Sequence, residues 1–556
     1  MAAFLRGIAA GLLAALAFPA GAASGSPSGA AAVATAHPVA TEAAFEVLEA
    51  GGNAFDAAVA ASAALGVAEP YSSGIGGGGF WLLDPAGGEP VMVDGRETAP
   101  SAATATMYQD EEGELREGAS MNGPLAAGIP GAPAAWDHIA DDYGALSLGR
   151  SLEPAIRAAR EGFEVTAHYR RMAGLRKEVL GRWSAGAEVF LDDGEVPEEG
   201  ATIRQPDLAD TLQRLAEEGR DGFYRGPVAE ALVAGARDAD GIWTEDDLAD
   251  YEVVEREPVT LEHQGWRIHA ASLPSSGGIT LGETFNILDG YTVEPGSAEG
   301  IHLTVEALRR AYRDRNAHLG DPDFVESPAH LLDPAYAAGL RAGIRRDRAT
   351  PSDALAPVPA AAGGHHTSHL SIVDADGNRV SATLSINYPF GSGFVAPDTG
   401  VVLNNEMDDF AAKPGEPNAY GLVQGEANAV APGKRPLSSM TPVVMEKGDD
   451  FAVLGSPGGS RIITQVLLGI RSVQAGDRAG TVVDRPRYHH QYRPDEVEYE
   501  PGALDEETRK ALADRGHELT EEDPWGNMQA VTGGPAGLEA ASDSRGEGAA
   551  AVRPVP

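Results

Sequence analysis

Apolar residues between Val33 and Leu65 fall at helical spacing in two groups, Ala44, Val47 and Leu48, then Ala57, Ala60, Ala61 and Ala64, on either side of Gly51-Gly52-Asn53. That spacing predicts two helices joined at a tight break. YSSGIGGGGFWLL (71–83) then runs into VMVDGRETAP (91–100), which predicts a glycine-rich loop feeding a buried hairpin. From about 140 to 350 the pattern is mostly helical: SLEPAIRAAREGF, DLADTLQRLAEEG, PVAEALVAGARD and IHLTVEALRRAYRDR each set apolar residues three and four apart.

Periodicity stops at 351–366, PSDALAPVPAAAGGHH, which reads as an exposed, extensible connector. Strand pattern begins directly after it. TSHLSIVDADGNRVSATLSIN (367–387) alternates apolar and polar residues about the turn signal Asp374–Asn378, a β-hairpin. With Asp374 opposite Arg379, the register brings Thr367 opposite the Ser385–Asn387 end of the returning strand. VVLNN, TPVVM and FAVLGSPGGSRIITQVLLGIRSV predict further strands and a strand–turn–helix unit. Strands gathered here, with helices before and after, predict a layered α+β architecture. No fixed-period repeat interrupts it.

Composition alters this picture little. The 556 residues suffice for about two to four ordinary domains or one large one, and 69 glycines and 38 prolines spread along the chain imply many tight turns. Charge alters it more. The formal net charge is −41, and the only lysines are Lys177, Lys413, Lys434, Lys447 and Lys510, so nucleic acid is excluded as a partner. An acidic, Lys-poor surface suits a protein kept soluble in high salt. Without a single Cys, the chain has no disulfide, thiolate nucleophile or Cys zinc site. Residues 1–23 carry Arg6, an apolar stretch, Pro19 and the small pair Ala20 and Ala22, the pattern of a cleaved secretory signal peptide. No segment approaches the ~20 apolar residues of a membrane span, and the mature protein is expected in the periplasm or medium.

Several familiar sites fail on spacing. GIGGGG (74–79) lacks the Lys-Ser/Thr of a phosphate-binding loop and reads as a tight structural turn, while His365, His366, His369 and the pair His489-His490 lack the helical spacing of a zinc hydrolase and read as turn or core histidines. No G-x-S-x-G elbow occurs. What stands out is the junction, where a connector ends at His366 and a strand opens with Thr367. A threonine hydroxyl that attacks the preceding carbonyl forms an ester whose hydrolysis frees an α-amine. With a reference pKa near ~8, that amine can act as general base for its own hydroxyl. By spacing alone Thr367 is equally an ordinary strand-initial residue. In GSPGGSR (455–461) the N–H groups of Gly458 and Gly459 can face an oxyanion at a helix N-terminus, or simply make a strand-to-helix turn. NNEMDDF (404–410) and Ser438-Ser439 have the chemistry to bind an ammonium and a carboxylate, or to be solvated loops.

Together these segments resemble the γ-glutamyltransferase (glutathione hydrolase) family. The resemblance runs from about Ala31 to near the C-terminus, through GGNAFDAAVAASAALGVAEPYSSGIGGGGF, TSHLSIVDADGNRVSATLSIN, NNEMDDF, YGLVQGEANAVAPGKRPLSSMTP, GSPGGSRIITQVL and PRYHHQ in the family's order. It implies the four-layer αββα sandwich of N-terminal-nucleophile hydrolases, cut between His366 and Thr367 into a large subunit (24–366) and a small subunit (367–556) that stay together as a heterodimer. It implies Thr367 as nucleophile for self-cleavage and turnover, with Ser385 where the family commonly has a second Thr. Arg96, Ser438 and Ser439 would hold the substrate's α-carboxylate, and Asn387, Glu406 and Asp409 its α-ammonium. Gly458 and Gly459 would stabilise the oxyanion, and Tyr420 would lie in a lid over the pocket. No cofactor or metal is implied. The donors would be glutathione and other γ-glutamyl amides, with water, amino acids or dipeptides as acceptors. Two other readings stay open: a cephalosporin acylase of the same broad family, and an uncleaved binding protein that keeps the pocket.

Overall fold

A computed structural model describes residues 29–326, 328–355, 367–413 and 425–556. The expected signal peptide, His366 and Tyr420 lie outside the described residues.

Two sheets form the centre. The first takes strands β1 (Ala30–Thr35), β2 (Gly78–Asp84), β3 (Val91–Gly95) and β4 (Val254–Arg256) from the first two thirds of the chain. The second takes β5 (Val259–His263) and β6 (Trp266–Ala270). After the connector come β7 (Ser368–Val373), β8 (Arg379–Ser385), β9 (Val443–Lys447), β10 (Asp450–Gly455), β11 (Gln529–Gly533), β12 (Glu539–Ser542) and β13 (Ala549–Pro554). The first sheet runs β13-β1-β7-β8-β2-β3-β4 and the second β12-β11-β10-β9-β6-β5. The β7–β8 hairpin therefore sits in the middle of the first sheet, flanked on both sides by strands from the start of the chain.

Alternation along β7 and β8 assigns the layers. Leu370, Ile372, Val380, Ala382 and Leu384 pack under helices α1 (Pro38–Glu49), α2 (Ala54–Ala68) and α3 (Leu148–Glu161), as the period of two requires. The intervening His369, Ser371, Ser381 and Thr383 are buried as well. Ser371 donates to the Gln529 carbonyl of β11 at 3.1 Å and Ser381 to the Leu454 carbonyl of β10 at 3.1 Å, so polar groups between the sheets are satisfied across the gap. On the far side, Ile268, Met445, Ala452 and Leu454 pack against α4 (Gly277–Leu288), α5 (Ala298–His318) and α6 (Ile462–Gln474). Helix, sheet, sheet, helix is the four-layer αββα order expected. Asn53 breaks α1 from α2 and caps the latter, with Asp56 returning a bond to the Asn53 N–H.

Three local expectations need correction. The stretch read as helical contains β4, β5 and β6. These strands are short, and β5 and β6 turn at Gln264-Gly265, both at positive φ, a signal weaker than the helices on either side. VVLNN yields only the two-residue strand Val401–Val402, because Asn404 turns its amide onto the Gly76 and Gly128 carbonyls. The hairpin register is one residue off: Val373, not Asp374, faces Arg379, and Leu384 faces Ser368. Asp374 instead caps the turn by accepting from the Asp376 and Asn378 N–H groups.

Candidate active site

Continuing that register one step pairs Thr367 with Ser385 at the end of the central hairpin. Thr367 is 9% exposed, and it borders two cavities. One is a narrow recess lined by Ser385, Asn387, Glu406, Asp409, Ser438, Ser439, Gly459 and Arg315 among others. The other, wider, opens past Gly458 toward Trp525 and Glu547. Thr367 thus stands where a small polar recess and a larger cavity meet, with a chamber on each side of it.

The recess is built by loops that leave the sheets. Ser385 accepts the Asn387 N–H at 2.7 Å, and its hydroxyl donates to the Glu406 carboxylate. Asn387 holds φ 73°, a left-handed conformation open to Asn, and donates its side-chain N–H to the Asn405 carbonyl at 2.9 Å, so its Oδ1 stays an acceptor. Glu406 and Asp409 lie on one turn of 3-10 helix, Glu406–Asp409, that sets both carboxylates against the guanidinium of Arg96, at 2.7 and 2.5 Å. Glu406 is buried and lines the recess beside Asp409.

Electrostatics sharpen this. Three acids, Glu97, Glu406 and Asp409, surround Arg96. Burial pushes the Glu97 carboxyl up to about 7, and burial with the negative neighbours Glu97 and Asp409 pushes Glu406 well up, against the pull of Arg96. Burial thus favours the protonated forms of Glu97 and Glu406, and a cation placed beside them would favour the ionised forms.

Arg96 itself departs from expectation. It is fully buried, donates Nε to the Pro436 carbonyl at 3.2 Å, holds Glu406 and Asp409, and does not border the recess. The serines do border it. Ser438 Oγ accepts from the Met440 N–H at 3.0 Å, and Ser439 Oγ accepts from Arg315 at 2.8 Å. Arg315 is a site residue that sequence reasoning missed, because it lies inside the regular amphipathic pattern of α5.

Gly458 and Gly459 take φ 137° and 56° between β10 and α6. A Cβ on Gly458 would meet Gln465 Nε2 at 2.5 Å. Gln465, also missed, braces the loop: it accepts from Ser456 Oγ and donates to the Pro457 carbonyl, both at 2.8 Å. Gly459 faces the recess and Gly458 the wider cavity. Among the histidines, His369, His489 and His490 are core groups, each held by burial down at about 3.

Two stacked sheets between helix layers, with a strand-initial threonine bordering a polar recess, define an enzyme fold of the N-terminal-nucleophile hydrolase class. Within that class the chain belongs to the γ-glutamyltranspeptidase family, whose sequence profile matches residues 40–553. It is 43% identical over 517 residues to a glutathione hydrolase proenzyme of Pseudomonas sp. strain A14, covering 91% of this chain and 89% of that one. To the glutathione hydrolase proenzyme of Escherichia coli K12 it is 40% identical over 522 residues, covering 92% and 90%. Among solved structures, a cephalosporin acylase from Bacillus halodurans superposes with TM-score 0.83 at 29% identity, over 97% of this chain and 99% of that one. The γ-glutamyltranspeptidase of Helicobacter pylori superposes with TM-score 0.57 at 38% identity, over 58% of this chain and 93% of that one. No helix among the described residues is long and apolar enough to cross a membrane.

Proposed function

We propose that the chain cleaves itself before Thr367 and then transfers the γ-glutamyl group of glutathione and other γ-glutamyl amides to water or to an amino acid or dipeptide, through an ester on Thr367. The observation that carries this reading is the position of Thr367: the residue that leads into the central hairpin, between a narrow polar recess and a wider cavity. The headgroup's ammonium meets Glu406 Oε1, Asp409 and Asn387 Oδ1. As it takes over the carboxylates it loosens their hold on Arg96, whose guanidinium then turns to the α-carboxylate beside Ser438 and Ser439. The hydroxyl of Thr367, deprotonated through its own amine and oriented beside Ser385, attacks the γ-carbonyl. Gly458 and Gly459 carry the developing negative charge. The amine returns its proton to the leaving amine, which departs through the wider cavity, and water or an acceptor enters by the same route.

Before cleavage residues 24–366 and 367–556 are one chain, and afterwards they form a heterodimer. The Helicobacter pylori chain supports the division, since 93% of it is matched by only 58% of this chain, as a separated large subunit would be. The leader at residues 1–23 would send the protein to the periplasm or medium, and Tyr420 would belong to a lid.

A cephalosporin acylase is the second reading, favoured by the Bacillus halodurans likeness. Its glutaryl-type substrate has no α-ammonium for Glu406 and Asp409 to meet. One preparation tests both. Purified protein should separate into two chains, the smaller beginning TSHLSIVD, remain single as Thr367→Ala, and hydrolyse γ-glutamyl anilides far faster than glutaryl anilides. A single chain that still turns over substrate would refute the mechanism, and preference for the glutaryl compound would favour the acylase.

A further inference from the structure

Several buried arginines in this molecule are paired with carboxylates. Arg96 holds Glu406 and Asp409, Arg309 lies against Glu306 and Asp495, and Arg487 against Asp543. Arg315 is different. It is 1% exposed and has no carboxylate within ion-pair distance among the described residues. Its guanidinium instead donates Nε to Ser276 Oγ at 2.8 Å, Nη1 to Asn316 Oδ1 at 3.0 Å and Nη2 to Ser439 Oγ at 2.8 Å. Burial lowers it to about 10, with Tyr312 and Asp409 pulling the other way at longer range, so it is charged at neutral pH. A buried cation without a counter-ion is expensive, and this one borders the recess that Thr367 borders.

Its hydrogen bonds have a direction. A guanidinium only donates, so Ser439 Oγ must accept from it, and the Ser439 proton is turned to another partner. Ser276 Oγ likewise accepts from Arg315 and passes its own proton to the Ser438 carbonyl at 2.7 Å, while the Ser276 N–H binds the same carbonyl at 2.8 Å. One side chain thus fixes both serines that face the recess, Ser438 through its carbonyl and Ser439 through its hydroxyl.

We propose that Arg315 is the positioning residue for the donor's α-carboxylate: it forces Ser439 to present a proton to that carboxylate, and its unpaired charge makes the recess select substrates that carry one. This rests on the γ-glutamyl reading above. A merely structural role would weaken turnover of all substrates alike, whereas positioning acts through one substrate group.

The test compares wild type, Arg315→Gln, Arg315→Lys, Ser439→Ala and the Arg315→Gln/Ser439→Ala double variant, all as matured two-chain enzyme. The substrates are γ-glutamyl-p-nitroanilide and 4-aminobutyryl-p-nitroanilide, which differ only in the α-carboxylate. Arg315→Gln should raise KM for the γ-glutamyl compound roughly 10- to 100-fold, the range of one charge-assisted hydrogen bond, with kcat little changed. Turnover of the 4-aminobutyryl compound should hardly move. Lys, which keeps the charge but lacks the fork, should recover part of the loss, and the double variant should be little worse than Ser439→Ala alone. If Arg315→Gln fails to mature, Arg315→Lys carries the same comparison. Equal losses on both substrates, or additive losses in the double variant, overturn the proposal while leaving the function intact. A wild-type enzyme inert to γ-glutamyl anilides overturns both.

Discussion

Around Arg96 three acids crowd one guanidinium, and burial holds two of them, Glu97 and Glu406, toward their protonated forms. An arriving α-ammonium would favour their ionised forms and gain their charge. Asp409, 16% exposed at its side chain, is the acid nearest the open recess. Asp409→Asn should therefore cost on the order of 3–5 kcal/mol of transition-state binding, or ~10²- to 10⁴-fold in kcat/KM for γ-glutamyl anilides. The loss should be far smaller on glutaryl anilides, and equal losses on the two would mean that Asp409 does not meet the ammonium. Most of this site was legible beforehand because its residues lie in short, unusual strings such as NNEMDDF and GSPGGSR. Arg315, Glu97 and Gln465 were not, since each contributes from inside or beside a regular element where nothing local distinguishes a site residue from a structural one.

Elements reach the site through close backbone approach, and the glycines at 76–79 are where this is tightest. They make the expected turn, closed by the Gly77 N–H on the Gly74 carbonyl at 3.0 Å, and it runs straight into close backbone packing. A Cβ on Gly76 would stand 2.1 Å from the Val402 carbonyl oxygen, and one on Gly77 the same distance from that of Ser385, while Gly78 and Gly79 already belong to β2. Neither contact can give cheaply, because both partners are backbone. Gly77→Ala should thus lower stability by about 1–3 kcal/mol, read from urea unfolding, and slow the appearance of the two chains by displacing Ser385. Unchanged unfolding and maturation would show that the strands have slack. Strand and helix types in the last third of the chain followed from apolar alternation. The hairpin register did not, because Asp374 and its neighbours offer two turns one residue apart, and only the capping bonds of the Asp374 carboxylate decide between them.

At the scale of the whole molecule the first sheet interleaves the proposed subunits: β7 and β8 lie between β1 and β2, so a cut before Thr367 leaves the pieces locked by strand pairing, without disulfides. Other contacts join them at the rim, including the His302–His517 hydrogen bond at 2.7 Å and the Asp495 contacts to Arg309 and Ser352. The titration of buried groups then sets how this assembly responds to acid. His369, His489, His490 and His517 are held by burial at about 3, and His37 and His168 at about 4. Between the ordinary histidine value near 6.5 and those values the unfolded chain binds protons that the folded one refuses, so each of the six removes stability as pH falls. Glu69 and Glu97, raised to about 7, and Asp84, raised to about 6, all chiefly by burial, work in the opposite sense. Their folded forms keep protons that the unfolded carboxylates have lost, which favours the fold as pH falls toward 4.5. Glu283, Glu406, Asp137 and Asp321, also raised chiefly by burial, act with these acids, and His263, His269 and His302, also lowered by burial, act with the six histidines. Nine histidines outweigh seven acids, and the net slope is a loss of stability on acidification from about pH 6.5 to 4.5. The thermal midpoint of the mature two-chain protein should fall steadily across that window. Glu69→Gln, which removes one opposing group, should raise the midpoint at pH 8 and steepen its decline toward pH 4.5, whereas a midpoint that climbs on acidification would mean that the buried acids, not the histidines, govern the assembly.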